Sequence, residues 1–211
     1  SRILVAWDVT ATHLHMIASR NGRSPLRIFC TNALAELTTK ALQFNNNEED
    51  DFDDDDSSKS TTLNQIELME PLCRCFHSKY LNTRQATLHS MESLIKSCGH
   101  ILSEGWSTVM DLLESVARTQ SNNSNDGSNR NSSNKTSLDG GNSITLNSST
   151  SNVAMIPLGF RTLQVVLDES LDRIMVIPGM ASRCIDCLAT YAKQQHDVNI
   201  SLTAIGAMWT L

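Results

Sequence analysis

The chain is poor in aromatic residues, because phenylalanine, tyrosine and tryptophan together make up 5% of its 211 residues. Leucine, isoleucine, valine, methionine and alanine must then fill most of the core, a composition that favours packed helices over a β-sandwich or β-barrel. Long apolar runs are also missing, and a membrane-spanning helix needs about 20 such residues. No basic stripe stands out, so we expect no nucleic-acid partner.

The sequence also lacks the short motifs that carry common enzyme chemistry. It has no G-x-S-x-G, no P-loop, no G-x-G-x-x-G and no H-E-x-x-H. The six histidines are scattered, and we assign none of them a catalytic or metal role. We therefore predict a protein that is not an enzyme, with no catalytic residue, no cofactor and no metal site.

Negative charge is concentrated in one place. The formal net charge is −6, and eight of the 23 acidic residues lie within residues 48–56. Without that run, 17 basic residues face 15 acidic ones, so the rest of the chain is nearly neutral. A run of this kind is usually a solvated loop, although it can also attract a basic partner.

Six cysteines lie mostly within apolar helical patterns, as reduced buried cysteines do. Cys184 and Cys187 form the only C-x-x-C pair, and the spacing of Cys73 and Cys75 does not supply a second one. Residues three apart share one face of a helix, so we interpret Cys184 and Cys187 as core residues.

Two polar segments divide the chain. Residues 45–62 hold asparagines, the acidic run and serines, and residues 120–152 are dominated by serine and asparagine. Neither can bury enough apolar surface to offset the entropy of ordering, so we predict two disordered loops. The helical repeat segments are then 1–44, 63–119 and 153–211. We expect a piece of a longer protein, because the chain starts without methionine and stops inside an apolar pattern.

Helix signals recur throughout these three segments. We predict a first helix over about 8–19 that ends near Asn21, and a second that opens at Ser24. Asn82 and Ser103 are expected to open two more helices, and Asp197 to cap the last. A turn is predicted at Pro178, where proline precedes glycine. Helix pairs about 40 residues apart predict an all-α, armadillo- or HEAT-like α-solenoid, with a compact helical bundle as the competing architecture.

Two strings stand out as packing elements. The first contains Gly99, His100, Gly105 and Trp106, and the second, residues 198–209, contains the remaining motif residues Asn199, Ser201, Leu202, Gly206 and Trp209. We expect His100 to cap the carbonyl groups of the helix that Gly99 ends, and Gly105 and Gly206 to allow close helix contact. Both tryptophans are interpreted as buried anchors rather than binding hot spots.

These strings resemble one group of proteins. The first resembles the region downstream of the Sec7 domain in large ARF-type guanine-nucleotide exchange factors. The second resembles the Mon-two (monensin-sensitivity) family, which shares that helical architecture but lacks the catalytic Sec7 domain. The resemblance covers most of the three helical segments and fails across the two polar ones.

The resemblance implies a peripheral Golgi, trans-Golgi network and endosome scaffold on the cytoplasmic side of the membrane. It would act in endosome-to-Golgi retrograde, vesicle-mediated protein transport. The partners that it implies are a Dopey-type protein, a phospholipid flippase and an Arf-like GTPase. No catalytic residue of either family can be carried over.

Two alternatives stay open. The chain can belong to the C-terminal non-catalytic region of a large ARF exchange factor of the BIG/Sec7 type, or to a HEAT-type adaptor outside membrane traffic. A Sec7 domain upstream would indicate the exchange factor.

Overall fold

A computed structural model describes residues 2–49, 64–118 and 154–211, and these residues form eight α-helices and no strand. We number them in chain order: α1 Arg2–Arg20, α2 Ser24–Glu49, α3 Gln65–Phe76, α4 Leu81–Cys98, α5 Gly105–Arg118, α6 Ile156–Met175, α7 Met180–Ala192 and α8 Val198–Met208. The all-α prediction is confirmed. None of these helices is long and apolar enough to cross a bilayer.

Several helix ends lie where the sequence signals predict them. α1 stops at Arg20, directly before Asn21, and Gly179 adopts a left-handed φ of 79° in the turn after Pro178. Asp197 caps α8, because its Oδ1 accepts hydrogen bonds from the backbone N–H groups of Asn199 (2.9 Å) and Ile200 (3.3 Å).

Four predicted boundaries are wrong. α1 begins at Arg2 rather than near residue 8. α2 continues to Glu49, so the helical segment runs past residue 44 into the predicted loop. α4 begins at Leu81, and Asn82 lies inside its first turn rather than capping it. α5 begins at Gly105, with Ser103 in the turn before it. Residues 50–62 and 120–152, the rest of the two predicted loops, lie outside the described residues.

The helices pack in two layers. The odd-numbered helices contact one another in the order α1, α3, α5, α7, and the even-numbered ones in the order α2, α4, α6. Contacts between consecutive helices, such as α1 with α2, α3 with α4 and α6 with α7, join the layers. Within each layer, helices that are two positions apart in the chain contact each other, so the helix pairs stack. The arrangement is therefore solenoid-like, as predicted.

Each layer is also tied together by ion pairs between its neighbours. In the even layer, Glu92 on α4 binds Lys96 (2.8 Å) on its own helix and Arg161 (3.1 Å) on α6. In the odd layer, Arg183 on α7 binds Asp111 (2.7 Å) and Glu114 (3.1 Å) on α5. The helices α4 with α6 and α5 with α7 are therefore held in register by charge as well as by apolar packing.

Candidate interaction surfaces

The first string forms the turn between α4 and α5, and its residues pack tightly. Trp106 is fully buried in the core, as predicted. A Cβ atom added to Gly105 would lie 2.9 Å from both the Leu102 side chain and Met69 Sδ, so the close contact predicted at Gly105 is confirmed. A Cβ on Gly99 would lie 2.8 Å from Ser170 Oγ on α6. This turn therefore needs its glycines for close packing.

His100 follows that helix end but does not cap it with its side chain. Its imidazole is exposed and makes no hydrogen bond within the part of the chain that the structure describes, so this prediction is wrong. The backbone carbonyl of His100 instead accepts a hydrogen bond from Arg173 of α6. The N–H of Gly99 satisfies the Ile95 carbonyl at the end of α4 (2.7 Å).

A residue from outside the string holds the turn. Gln65, at the start of α3, accepts hydrogen bonds through Oε1 from the backbone N–H groups of Ser103 (2.8 Å) and Gly105 (3.1 Å). Its Nε2 donates to the Ile101 carbonyl (2.9 Å). Gln65 therefore caps α5 from another helix, which local sequence signals miss because the donor and acceptor are about 40 positions apart.

The second string forms α8, and most of its motif side chains lie at its surface. Leu202 is 62% exposed and Trp209 is 86% exposed, so the interpretation of Trp209 as a buried anchor is wrong. A Cβ on Gly206 would meet nothing within 4 Å, so the close helix contact predicted there is also wrong. Ser201 and Asn199 form hydrogen bonds at the start of the helix. Ser201 Oγ donates to the Gln194 carbonyl (3.0 Å), and the Asn199 N–H donates to the capping carboxylate.

The exposed apolar side chains of α8 form a continuous stripe. Val198, Leu202, Ile205 and Trp209 follow one another at intervals of four, three and four residues, and all four are exposed. This spacing places them on one face of the helix. We call these four residues the α8 stripe.

The opposite end of the stack is similar. Val9 and Met16 on α1 and four side chains on α2 are also exposed: Leu26, Phe29, Leu37 and Phe44. Ten of the fourteen large hydrophobic side chains exposed among the described residues thus belong to α1, α2 or the α8 stripe. Apolar surface is concentrated at the two ends of the stack, and such patches mark contact surfaces more often than scattered single residues do.

The cysteines form no site. Cys184 and Cys187 are fully buried and carry free thiols, so their interpretation as core residues is confirmed. Burial raises the pKa of both the Cys75 and the Cys187 thiols to about 12, which keeps them protonated at neutral pH. Within residues 2–49, 64–118 and 154–211, no group of three or more histidine, cysteine, aspartate or glutamate side chains is arranged to hold a metal ion.

Comparison with known proteins agrees with the resemblance of the two strings. Residues 56–128 match the family model described as Mon2/Sec7/BIG1-like, HDS, a region that contains α3, α4 and α5. The whole chain aligns with the protein MON2 homolog of Drosophila melanogaster at 25% identity, and it spans a tenth of that protein's length. No solved structure matches the chain significantly. The chain is therefore similar to Mon2 and Sec7-type proteins, over residues 56–128 by the family model and over its whole length at low identity.

Proposed function

We propose that this chain is part of a non-catalytic scaffold for membrane traffic, acting in transport between endosomes and the Golgi and contacting partner proteins through its helical surfaces. The proposal rests on the relation to Mon2 and Sec7-type proteins. It places the protein peripherally on Golgi, trans-Golgi network and endosome membranes. The proposed partners are a Dopey-type protein, a phospholipid flippase and an Arf-like GTPase.

The observation that carries a binding role is the α8 stripe. All four of its members lie in the string that resembles the Mon-two family, yet their side chains point away from the core. A core position would bury them, whereas a position that contacts another surface leaves them exposed in the isolated stack. Large exposed aromatic and aliphatic side chains are the usual anchors of protein interfaces. We therefore propose that the α8 stripe contacts another helical surface, and the experiment separates a partner protein from an adjoining helix pair of the same protein.

The experiment is affinity capture of the full-length protein from cells, followed by mass spectrometry. The wild type is compared with a Leu202→Ser/Trp209→Ser variant, and the matched control is Phe29→Ser/Phe44→Ser at the other end of the stack. We expect the wild type and the control to capture a Dopey-type protein, and the α8 variant to lose it while its melting temperature is unchanged.

Two results would contradict the proposal. If the α8 variant melts at a markedly lower temperature and still captures the partner, the stripe is an internal packing surface. If the wild type captures nucleotide-free Arf and neither the Dopey-type protein nor a flippase, the exchange-factor alternative is favoured. That alternative stays open because the matching family model also covers BIG1-like proteins.

A further inference from the structure

A second surface, at the turns between α1 and α2 and between α3 and α4, is strongly basic, in contrast to the apolar α8 stripe. Two segments of the chain, residues 20–27 and 74–84, hold six arginine and lysine residues and no aspartate or glutamate. The first segment joins α1 to α2, and the second joins α3 to α4. Sequence inspection misses the surface because about 50 residues separate the two segments.

The fold brings these two turns into contact through hydrogen bonds. Asn82 Oδ1 accepts a hydrogen bond from Arg27 Nη2 (2.9 Å), and its amide group donates to Ser24 Oγ. Thr83 Oγ1 donates to the Ala18 carbonyl near the end of α1 (3.1 Å). The Arg27 guanidinium is buried and lies 3.7 Å from the centre of the Tyr80 ring. These contacts hold the two turns side by side, so the cations of both turns lie at one edge of the fold.

A concave cavity of about 590 Å³ opens at this edge, within the range of small-ligand sites. The side chains of Arg20, Arg74, Lys79, His15 and His77 line it, together with two serines. Among the described residues, Arg20 and Lys79 have no carboxylate partner, and the one acidic neighbour of Arg74 is Glu70 (2.5 Å) on the same helix.

A buried polar atom in the wall of the cavity lacks a partner. Ser19 Oγ is shielded from solvent and makes no hydrogen bond. An unsatisfied buried hydroxyl costs about 1–3 kcal/mol, but this oxygen is closed off from the cavity and gives a ligand there no contact. The pKa of His15, in the same wall, is lowered by burial and then by the charges of Arg74 and Arg20, which reflects the positive potential of the cavity.

The C-terminal ends of α1 and α3 carry partial negative charge, which explains why some cations lie at this edge. Both helices end at the cavity, and cations near a helix C-terminus gain about 0.3–1 kcal/mol from the exposed carbonyl groups. Three of those carbonyls already accept backbone hydrogen bonds, from Asn21 (3.1 Å), His77 (3.1 Å) and Ser78 (3.1 Å). Two cations of the lining, Arg20 and Lys79, still lack a carboxylate partner among the described residues.

We propose that this cavity, between the C-terminal ends of α1 and α3, binds a phosphorylated ligand. Arg20 and Lys79 supply unpaired positive charge for a phosphate ester dianion, and Arg74 adds to it beyond its ion pair with Glu70. The lining holds a few clustered cations rather than a long basic groove, which favours a phosphorylated headgroup over an extended acidic peptide. The ligand can be a soluble phosphate ester or the headgroup of a membrane lipid, and the test separates these two sources.

The test uses the full-length protein and two probes that share one headgroup. Myo-inositol trisphosphate is titrated by calorimetry, and phosphatidylcholine vesicles that contain phosphatidylinositol bisphosphate are tested by flotation. We expect saturable binding of the soluble probe. If inositol trisphosphate also displaces the protein from the vesicles, the ligand is a lipid headgroup. If the protein binds inositol trisphosphate but not the vesicles, the ligand is a soluble phosphate ester.

Variants locate the binding in this cavity. Arg20→Gln/Lys79→Gln is expected to lower the affinity about tenfold or more, which is the loss of one or two charge-assisted hydrogen bonds. The matched control, Lys40→Gln/Lys193→Gln, removes the same charge elsewhere and should bind as the wild type does.

Several results would overturn the proposal. The first is the absence of saturable binding to either probe. A second is an equal loss in the cavity variant and in its control, since that indicates diffuse attraction. A third is equally strong binding to phosphatidylserine vesicles of matched charge. Tighter binding of an unphosphorylated acidic peptide than of inositol trisphosphate would assign the cavity to a protein ligand instead.

Discussion

Single residues of the same type have opposite roles in this molecule, and the two tryptophans of the strings are the clearest example. Trp106 faces inward from α5 and is fully buried, whereas Trp209 follows α8 and is 86% exposed. Both follow an apolar helical pattern in the sequence. The pattern defines which face of a helix a residue occupies, but only the neighbouring helices decide whether that face is covered.

Replacing Trp106 with alanine should destabilise the fold by about 3–5 kcal/mol, as expected when a large buried aromatic side chain is removed from a core. The matched variant Trp209→Ala should change the free energy of unfolding by less than about 0.5 kcal/mol, because an exposed side chain has little packing to lose. Chemical denaturation monitored by circular dichroism measures both. Equal effects of the two substitutions would contradict the packing described for Trp106.

Contacts between elements depend on polar side chains as well as on apolar packing. Gln65 is the best example, because one amide group on α3 satisfies three backbone groups in the turn that begins α5. Gln65→Ala leaves those groups without their partner and should cost about 1–2 kcal/mol. We also expect faster hydrogen exchange at the amides of Ser103 and Gly105.

The control for this prediction is Gln195→Ala, since Gln195 is exposed in the turn between α7 and α8. That substitution should leave both the stability and the exchange rates at the α5 turn unchanged. Unchanged exchange at Ser103 and Gly105 in the Gln65 variant would show that water replaces the cap without loss.

The ion pair between α4 and α6 gives stability that depends on pH. A hydrogen bond from Lys96, supported by the charge of Arg161, outweighs burial and lowers the pKa of Glu92 below its ordinary value of 4.5. A carboxyl group with a lowered folded-state pKa stabilises the fold fully above the unfolded pKa, and that contribution is lost as the pH falls through the folded pKa. The wild type should therefore lose part of its stability below about pH 4.5.

A Glu92→Gln variant should be less stable than the wild type at neutral pH, and the difference should shrink as the pH falls below about 4.5. Melting temperatures measured across this pH range test the prediction. Glu169→Gln is the control, because Glu169 is exposed on α6 and forms no ion pair with the described residues. A constant difference between Glu92→Gln and the wild type at every pH would rule out the linkage.

The sequence predicts where helices begin and end better than it predicts which residues from distant parts of the chain they contact. Helix signals such as Asp197 and Pro178 are local, and the structure agrees with them because the residues that satisfy them are a few positions away. The cap by Gln65, the basic cavity and the exposure of Trp209 all depend on residues from distant parts of the chain. Pattern and propensity carry no information about those distances, so these features follow only from the fold.

At the scale of the whole molecule, the stack is held by helix-to-helix contact and has chemically different surfaces. Apolar side chains are exposed mainly on α1, α2 and α8, while positive charge gathers at the turns between α1 and α2 and between α3 and α4. Distinct surfaces on a rigid stack suit a scaffold, because several ligands can be bound at once without competing for one site.

Replacing residues 121–152 with a short linker tests whether the stack depends on its longest polar segment. α5 contacts both α6 and α7 directly, so the helices on either side of the segment are joined by packing. Loop-closure entropy changes slowly with length, and a linker of about eight residues should serve as well as the natural segment. We expect the replacement to leave the number of helical residues and the melting temperature unchanged by circular dichroism. A large fall in the melting temperature would mean that residues 121–152 contribute contacts to the fold.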